Sequence, residues 1–172
     1  MTEKPIITYL DTCVVSGLAR NDLAPSEREA MVELLRRYEV GSVDFVTSAV
    51  ALLELEKIPI EHQTPHLAVY HLLRKVRVLP EPSLTRLGPW GGPMGNPVRR
   101  IWSQIQAILP DENDVKHVFQ AAKHSVDYFL TVDESTILKH KSDLAAQAGI
   151  NAVKPSDLLA LLQTGQVDEQ AP

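Results

Sequence analysis

The chain has 172 residues, 44% of them hydrophobic and 23% charged, with a net charge of −5 and a pI near 5.7. It is long enough for one domain with a substantial core, too rich in apolar residues for a disordered segment, and too acidic for a protein whose whole surface attracts nucleic acid. No apolar run approaches a membrane span, "MTEKPIITYLD" resembles neither a signal nor a transit peptide, and Cys13 is the single cysteine, so one soluble domain (residues 1–172) in the reducing cytoplasm is expected. In chain order, "ITYLD" from Ile7 to Asp11 predicts a buried strand that ends on an aspartate. In "SEREAMVELLRRYE", Ser26 and Glu29 have capping-box spacing and Met31, Leu34, Leu35 and Tyr38 share a face, which predicts a helix. A strand at Val43–Thr47 and a helix from Ser48 to Lys57 are predicted next. Thr64 and Pro65 read as the N-cap and first position of a helix running to Lys75, followed by a brief strand at 76–79. Residues 80–97, dense in Pro and Gly, are expected to form a long loop. "VRRIWSQIQAIL" predicts a helix with Ile101, Ile105 and Ile108 inward, and "DENDVKHVFQAAKHS" another with Asp111 as N-cap. A strand at Tyr128–Val132, a helical region over 135–148, a short strand at 151–153, a helix from Pro155 and a frayed tail over 164–172 complete the expectation. Strands alternating with helices predict a three-layer α/β/α sandwich around a central parallel sheet.

In such a sheet the carboxyl ends of all strands lie along one edge, where ligands bind. Asp11 and Asp133 each follow a predicted strand, Asp114 falls in the first turn of the helix before the second of these strands, and a glutamate of the 48–57 helix, Glu54 or Glu56, can reach the same edge. Each acid has a plain explanation as a cap, a turn residue or a solvated position. Taken together, converging like charges repel, and a divalent cation would relieve them. Oxygen ligands without cysteine or a histidine pair favour magnesium or manganese, and magnesium held by carboxylates commonly meets phosphate oxygens. His117, one turn from Asp114, reads as a packing or supporting group.

These residues resemble those of the PIN-domain ribonucleases, a family that includes the toxin nucleases of toxin-antitoxin pairs. "YLDTCVVSGL" is similar to the family's opening motif, matching Asp11 and Thr12, with Cys13 where Asn or Ser is frequent. "TSAVALLELEKI" resembles the segment that carries the second acid and aligns Glu54 rather than Glu56 with it. "DENDVKHVFQAAKHSVDYFLTVD" resembles the block in which an Asp opens a helix and Thr-x-Asp closes the next strand, matching Asp114, Thr131 and Asp133, and "VKPSDLLALL" resembles the closing strand and helix. The resemblance implies a PIN-like fold and Mg2+- or Mn2+-dependent hydrolysis of RNA that leaves a 5′-phosphate and a 3′-hydroxyl. Asp11, Glu54, Asp114 and Asp133 would be the catalytic metal ligands, and Thr12 and Thr131 would orient them, with Asp111 a reserve ligand. It also implies an antitoxin partner that blocks the acidic pocket, and homodimerisation.

Bare acids repel an RNA chain, so substrate contacts must come from cations and stacking surfaces, for which Arg86, Trp90, Arg99 and Arg100 are the candidates. The bland readings are a loop anchor for Trp90 and a solvated first turn for Arg99 and Arg100. Three other functions fit parts of the pattern. One is a catalytically inert PIN-like module that binds RNA or protein; the others are a structure-specific DNA nuclease and a phosphoacceptor receiver, which would want an Asp at the end of a middle strand where "FVTS" stands.

Overall fold

The computed structural model describes residues 4–72, 76–80 and 96–165. Strand β1 (Ile6–Leu10) leads into helix α1 (Thr12–Arg20), then α2 (Pro25–Glu39), β2 (Val43–Ser48), α3 (Ala49–Glu56), α4 (Ile60–Leu72) and β3 (Arg77–Leu79). Helices α5 (Asn96–Ile108) and α6 (Glu112–Lys123) precede β4 (Tyr128–Leu130). A 3-10 turn at Leu138–His140 runs into α7 (Lys141–Ala148), followed by β5 (Ala152–Val153) and α8 (Pro155–Thr164). The five strands form one sheet in the order β3-β2-β1-β4-β5. Every pairing is parallel, with Ile6 opposite Val43, Thr8 opposite Tyr128, Val46 opposite Arg77 and Phe129 opposite Ala152. The predicted three-layer α/β/α architecture is therefore the observed one.

Alternation along the strands separates the two cores. Tyr9, Val46, Leu79 and Phe129 face a layer built from α5, α6 and α7, where they pack with Ile105, Val118, Phe119, Ile137 and Leu144. Leu10, Val43, Phe45, Tyr128 and Leu130 face the opposite layer of α1, α2, α4 and α8, packing with Val14, Met31, Leu34, Val69 and Leu158. Each fully buried Leu, Ile or Phe stabilises the fold by roughly 1.5–3 kcal/mol relative to exposure. Helix α3 lies at the carboxyl edge of the sheet and touches α6 on one side and α4 on the other. Among the described residues, no helix is long and apolar enough to cross a membrane.

Several sequence expectations need correction. The segment Thr12–Arg20 is a helix that the sequence reading passed over, because β-branched Thr12, Val14 and Val15 and then Gly17 weaken a helical pattern. Helix α2 begins at Pro25, with Ala24 as its N-cap, so Ser26 and Glu29 form no capping box. Glu27 instead reaches across to α8, where it accepts from the Ser156 backbone N–H at 3.0 Å and from its hydroxyl at 2.7 Å. Helix α4 begins at Ile60, and Pro65 lies inside it rather than at its start. Glu61, whose carbonyl Pro65 leaves without a helical donor, is exposed and can turn to water. Asn96 and Pro97 belong to α5, not to the predicted loop. Residues 134–137 form turns ahead of the 3-10 segment, so the helical region predicted from Ser135 starts later. Positions 81–95 of the expected loop, the end of the predicted 64–75 helix and residues 166–172 of the expected tail lie outside the described residues.

Candidate active site

Strand β1 is flanked by β2 on one side and β4 on the other, so the strand order reverses beside it, and in open parallel sheets such a reversal opens a crevice at the carboxyl edge. Asp11 stands there, directly after β1, with its backbone N–H bonded to the Leu130 carbonyl at 3.1 Å. It occupies the N-cap position of α1, yet its side chain caps nothing. The carboxylate meets side chains instead of the helix's free N–H groups: Thr131 donates its hydroxyl to Asp11 Oδ2 at 2.7 Å, and the Cys13 thiol donates to the same oxygen at 3.0 Å. Thr131 also accepts from the Asp133 backbone N–H at 3.1 Å, which ties the ends of β1 and β4 together.

Asp111 behaves in the opposite way. Its Oδ1 accepts from the backbone N–H groups of Asn113 and Asp114 at 2.8 and 3.2 Å, an ordinary N-cap for α6. Its Oδ1 is committed to the helix, as expected of the N-cap. Asp114, three residues further along, faces the 134–137 turn, and the Thr136 hydroxyl lies 3.0 Å from its Oδ2. The same hydroxyl is hydrogen-bonded to Asp133 Oδ2. A threonine has one hydroxyl proton, so it cannot donate to both carboxylates at once. Asp133 Oδ1 is filled separately by the Ser135 backbone N–H (2.9 Å), the Ser135 hydroxyl (2.6 Å) and the Thr136 backbone N–H (3.1 Å).

Glu54 comes to this edge because α3 starts where β2 ends. Its Oε2 accepts from the Thr12 hydroxyl at 2.7 Å and lies 3.0 Å from His117 Nε2. Glu56 is exposed, so Glu54 is the acid of this helix that meets the sheet edge. The His117 ring is buried and short of its ideal geometry: Nε2 is close to Glu54 but off the hydrogen-bond line. Its Nδ1 is 2.7 Å from the Tyr9 hydroxyl, which in turn is 2.6 Å from Ser48 Oγ. Ser48 is the N-cap of α3, and like Asp11 it withholds its side chain from the helix it precedes.

The titration behaviour follows from these contacts. Burial raises the Asp114 carboxyl, the repulsion of Asp111, Asp11 and Asp133 adds to it against the Thr136 hydrogen bond, and the result is a pKa of about 6. For Asp133 burial is the largest influence and acts upward, but the hydroxyl and backbone donors of Ser135 and Thr136 outweigh it and hold the group below the usual range. Burial likewise pushes Glu54 up while His117, Thr12 and Lys57 bring it down on balance. His117 is opposed by burial and raised on balance by Glu54, Asp11 and Asp114. Burial first, and then the Asp11 charge, drive the Cys13 thiol far above its ordinary value.

A common pattern runs through three of the four acids. In Asp11, Glu54 and Asp114 the side-chain donors converge on one oxygen, Oδ2, Oε2 and Oδ2 respectively. The other oxygen of each has no donor among the described residues. In Asp133 both oxygens are engaged. Among the described residues, no three His, Cys, Asp or Glu side chains stand close enough to hold a metal ion on protein ligands alone. Thr12 and Thr131 each donate a hydroxyl to one acid, Glu54 and Asp11 respectively. Arg99 and Arg100 are exposed on α5, and Arg86 and Trp90 lie outside the described residues. Sequence reading missed Thr136, Ser135 and the Tyr9–Ser48 pair. The signal for the first two was local, since Ser and Thr two and three residues after an Asp form such turns, whereas Tyr9 and Ser48 meet only across the sheet. No known protein-family profile matches the chain, and no curated protein is significantly similar to it.

Proposed function

We propose that this chain is a divalent-metal-dependent ribonuclease of the PIN-domain type, with Asp11, Glu54, Asp114 and Asp133 as its acidic centre. The observation that carries the reading is that three acids at one sheet edge are each clamped through one oxygen and bare at the other. Asp111, by contrast, receives only backbone N–H groups of the helix it caps, whereas these three acids are held by side chains from other parts of the fold, Thr131, Thr12 and Thr136. The donor set also suits a hard cation. Magnesium takes one or two carboxylates and completes its shell with water and phosphate oxygens, so a three-acid cage is not required. The two carboxylates on one Thr136 proton leave negative charge that a cation would compensate.

Asp11, Glu54, Asp114 and Asp133 would hold one or two such ions. When bound, such an ion activates water and neutralises charge on a scissile phosphate. The chain's own part is orientation: Thr131 and Cys13 fix Asp11, Thr12 fixes Glu54, and Thr136 holds Asp114 next to Asp133. A partner protein of the kind the resemblance implies would have to cover this acidic edge, and a cationic side chain would suit it. One feature favours a second reading, a binding module that does not cut: Asp133, with both oxygens engaged, is less free than a ligand needs to be.

Cleavage of a mixed pool of structured RNAs, with Mg2+ or Mn2+ and with chelator, separates the two. Metal-dependent cutting that disappears in folded Asp11→Asn and Asp133→Asn variants is the expected result. RNA binding without cutting in any metal would replace the enzyme with the binding module.

A further inference from the structure

Resting on the reading above, we propose that His117, backed by Tyr9 and Ser48, is a positioning residue that sets which Glu54 oxygen is presented to the metal. The reason is a polar chain buried in an otherwise apolar layer. Tyr9 stacks on Phe129 with ring centroids 5.0 Å apart, and its neighbours in that layer include Val118, Phe119 and Ile105. A histidine here is 2% exposed, and burying its polar atoms is costly unless they are matched. An aliphatic side chain would pack this layer without that cost.

What the histidine adds is reach in two directions. An ionised Glu54 can only accept, so the hydrogen facing it is on His117 Nε2. A neutral ring then accepts at Nδ1 from the Tyr9 hydroxyl, and Ser48 donates to Tyr9 in turn. Every proton in the chain Ser48–Tyr9–His117–Glu54 has one consistent direction. The chain starts at the end of β2, crosses β1 two residues before Asp11, and reaches Glu54 through α6, the helix that also carries Asp114. It therefore joins three of the elements that supply the acids. Thr12 donates to Oε2 and His117 Nε2 stands 3.0 Å from the same oxygen, so Oε1 is the one with no donor among the described residues. Such outer partners of a metal ligand typically change metal affinity by about 10- to 100-fold when removed.

The test compares the full chain with His117→Leu, His117→Gln and Tyr9→Phe, each checked for folding by urea denaturation. Mn2+ affinity is read by titrating the protein and following free Mn2+ by electron paramagnetic resonance, and RNA cleavage is measured against Mn2+ concentration. His117→Leu is expected to weaken Mn2+ by about 10- to 100-fold, with cleavage largely restored at saturating metal. Gln places an N–H near the Nε2 position, so His117→Gln should stay within about threefold of the wild type, well short of the loss above. Tyr9→Phe keeps the stack on Phe129 and removes only the hydroxyl, so it should show a smaller loss of the same kind, and with the Gln variant it decides the matter if the Leu variant does not fold. Wild-type Mn2+ affinity in folded His117→Leu, or in Tyr9→Phe where Leu fails, would overturn the positioning role and leave the nuclease reading standing. A wild-type protein that neither binds Mn2+ nor cuts RNA would overturn both.

Discussion

Replacing Asp114 by Asn should make the metal-free protein more stable, although most substitutions at a half-buried position do the reverse. Burial and three neighbouring acids lift the Asp114 pKa from 3.8 to about 6. The folded state therefore binds this proton more tightly than the unfolded chain does. The sign follows from linkage: the group costs nothing below about pH 4, where both states are protonated. The penalty grows as pH rises through the window between the two values, and it is complete above about pH 6. A shift of that size corresponds to roughly 3 kcal/mol if no water screens it. Asp114 is partly exposed and solvent screens it, so about 1 kcal/mol is the realistic expectation. With a urea m-value of about 2 kcal/mol/M, Asp114→Asn should raise the denaturation midpoint by about 0.5 M at pH 7.5. The gain should vanish near pH 4. Saturating Mg2+ should reverse the order, since an ion at 100 times its dissociation constant stabilises the wild type by about 2.7 kcal/mol and the variant far less. A variant that is less stable than the wild type at pH 7.5, or whose gain is the same at pH 4, would refute this account of the charge at the sheet edge. Stabilisation on neutralising an acid is what a site tuned for a ligand, rather than for the empty fold, gives.

Three other outcomes follow from single contacts. Thr131→Val removes the 2.7 Å donor to Asp11 and the acceptor for the Asp133 N–H in one step, so it should cost about 1.5–3 kcal/mol by urea denaturation and abolish most cleavage, while Thr131→Ser retains both. Asp111→Ala should cost about 0.5–2 kcal/mol through the lost cap and leave Mn2+ affinity unchanged in the same titration; a large loss of affinity would restore Asp111 to the ligand set. Cys13, whose thiol is held far from ionisation by burial and Asp11, should react with a disulfide reagent at pH 8 more than about a hundredfold slower in the folded protein than in urea. Equal rates would mean that the thiol is not held against Asp11.

Alternation and spacing in the sequence determined the sheet and its layers. The apolar runs at 6–10, 43–48 and 128–130 are strands because β-branched and aromatic residues fill both faces of a parallel sheet. The same local information assigned Asp111 to the cap of α6, since a cap needs only its own helix. It failed for α1 and for the start of α4, where β-branched residues, Gly17 and Pro65 argue against a helix that packing against the sheet and neighbouring helices supports anyway. Asp11 and Ser48 mark the limit of what the sequence alone could decide. Both are good N-cap residues followed by a helix, and both leave that helix uncapped. What turns them away is Thr131, just after β4, for one and Tyr9 on β1 for the other, 120 and 39 residues distant along the chain. The sequence supplied the acids and the edge they share. Which oxygen of each is held, and that His117 reaches Glu54 from inside the core, depended on side chains meeting across strands, which only the folded sheet brings together.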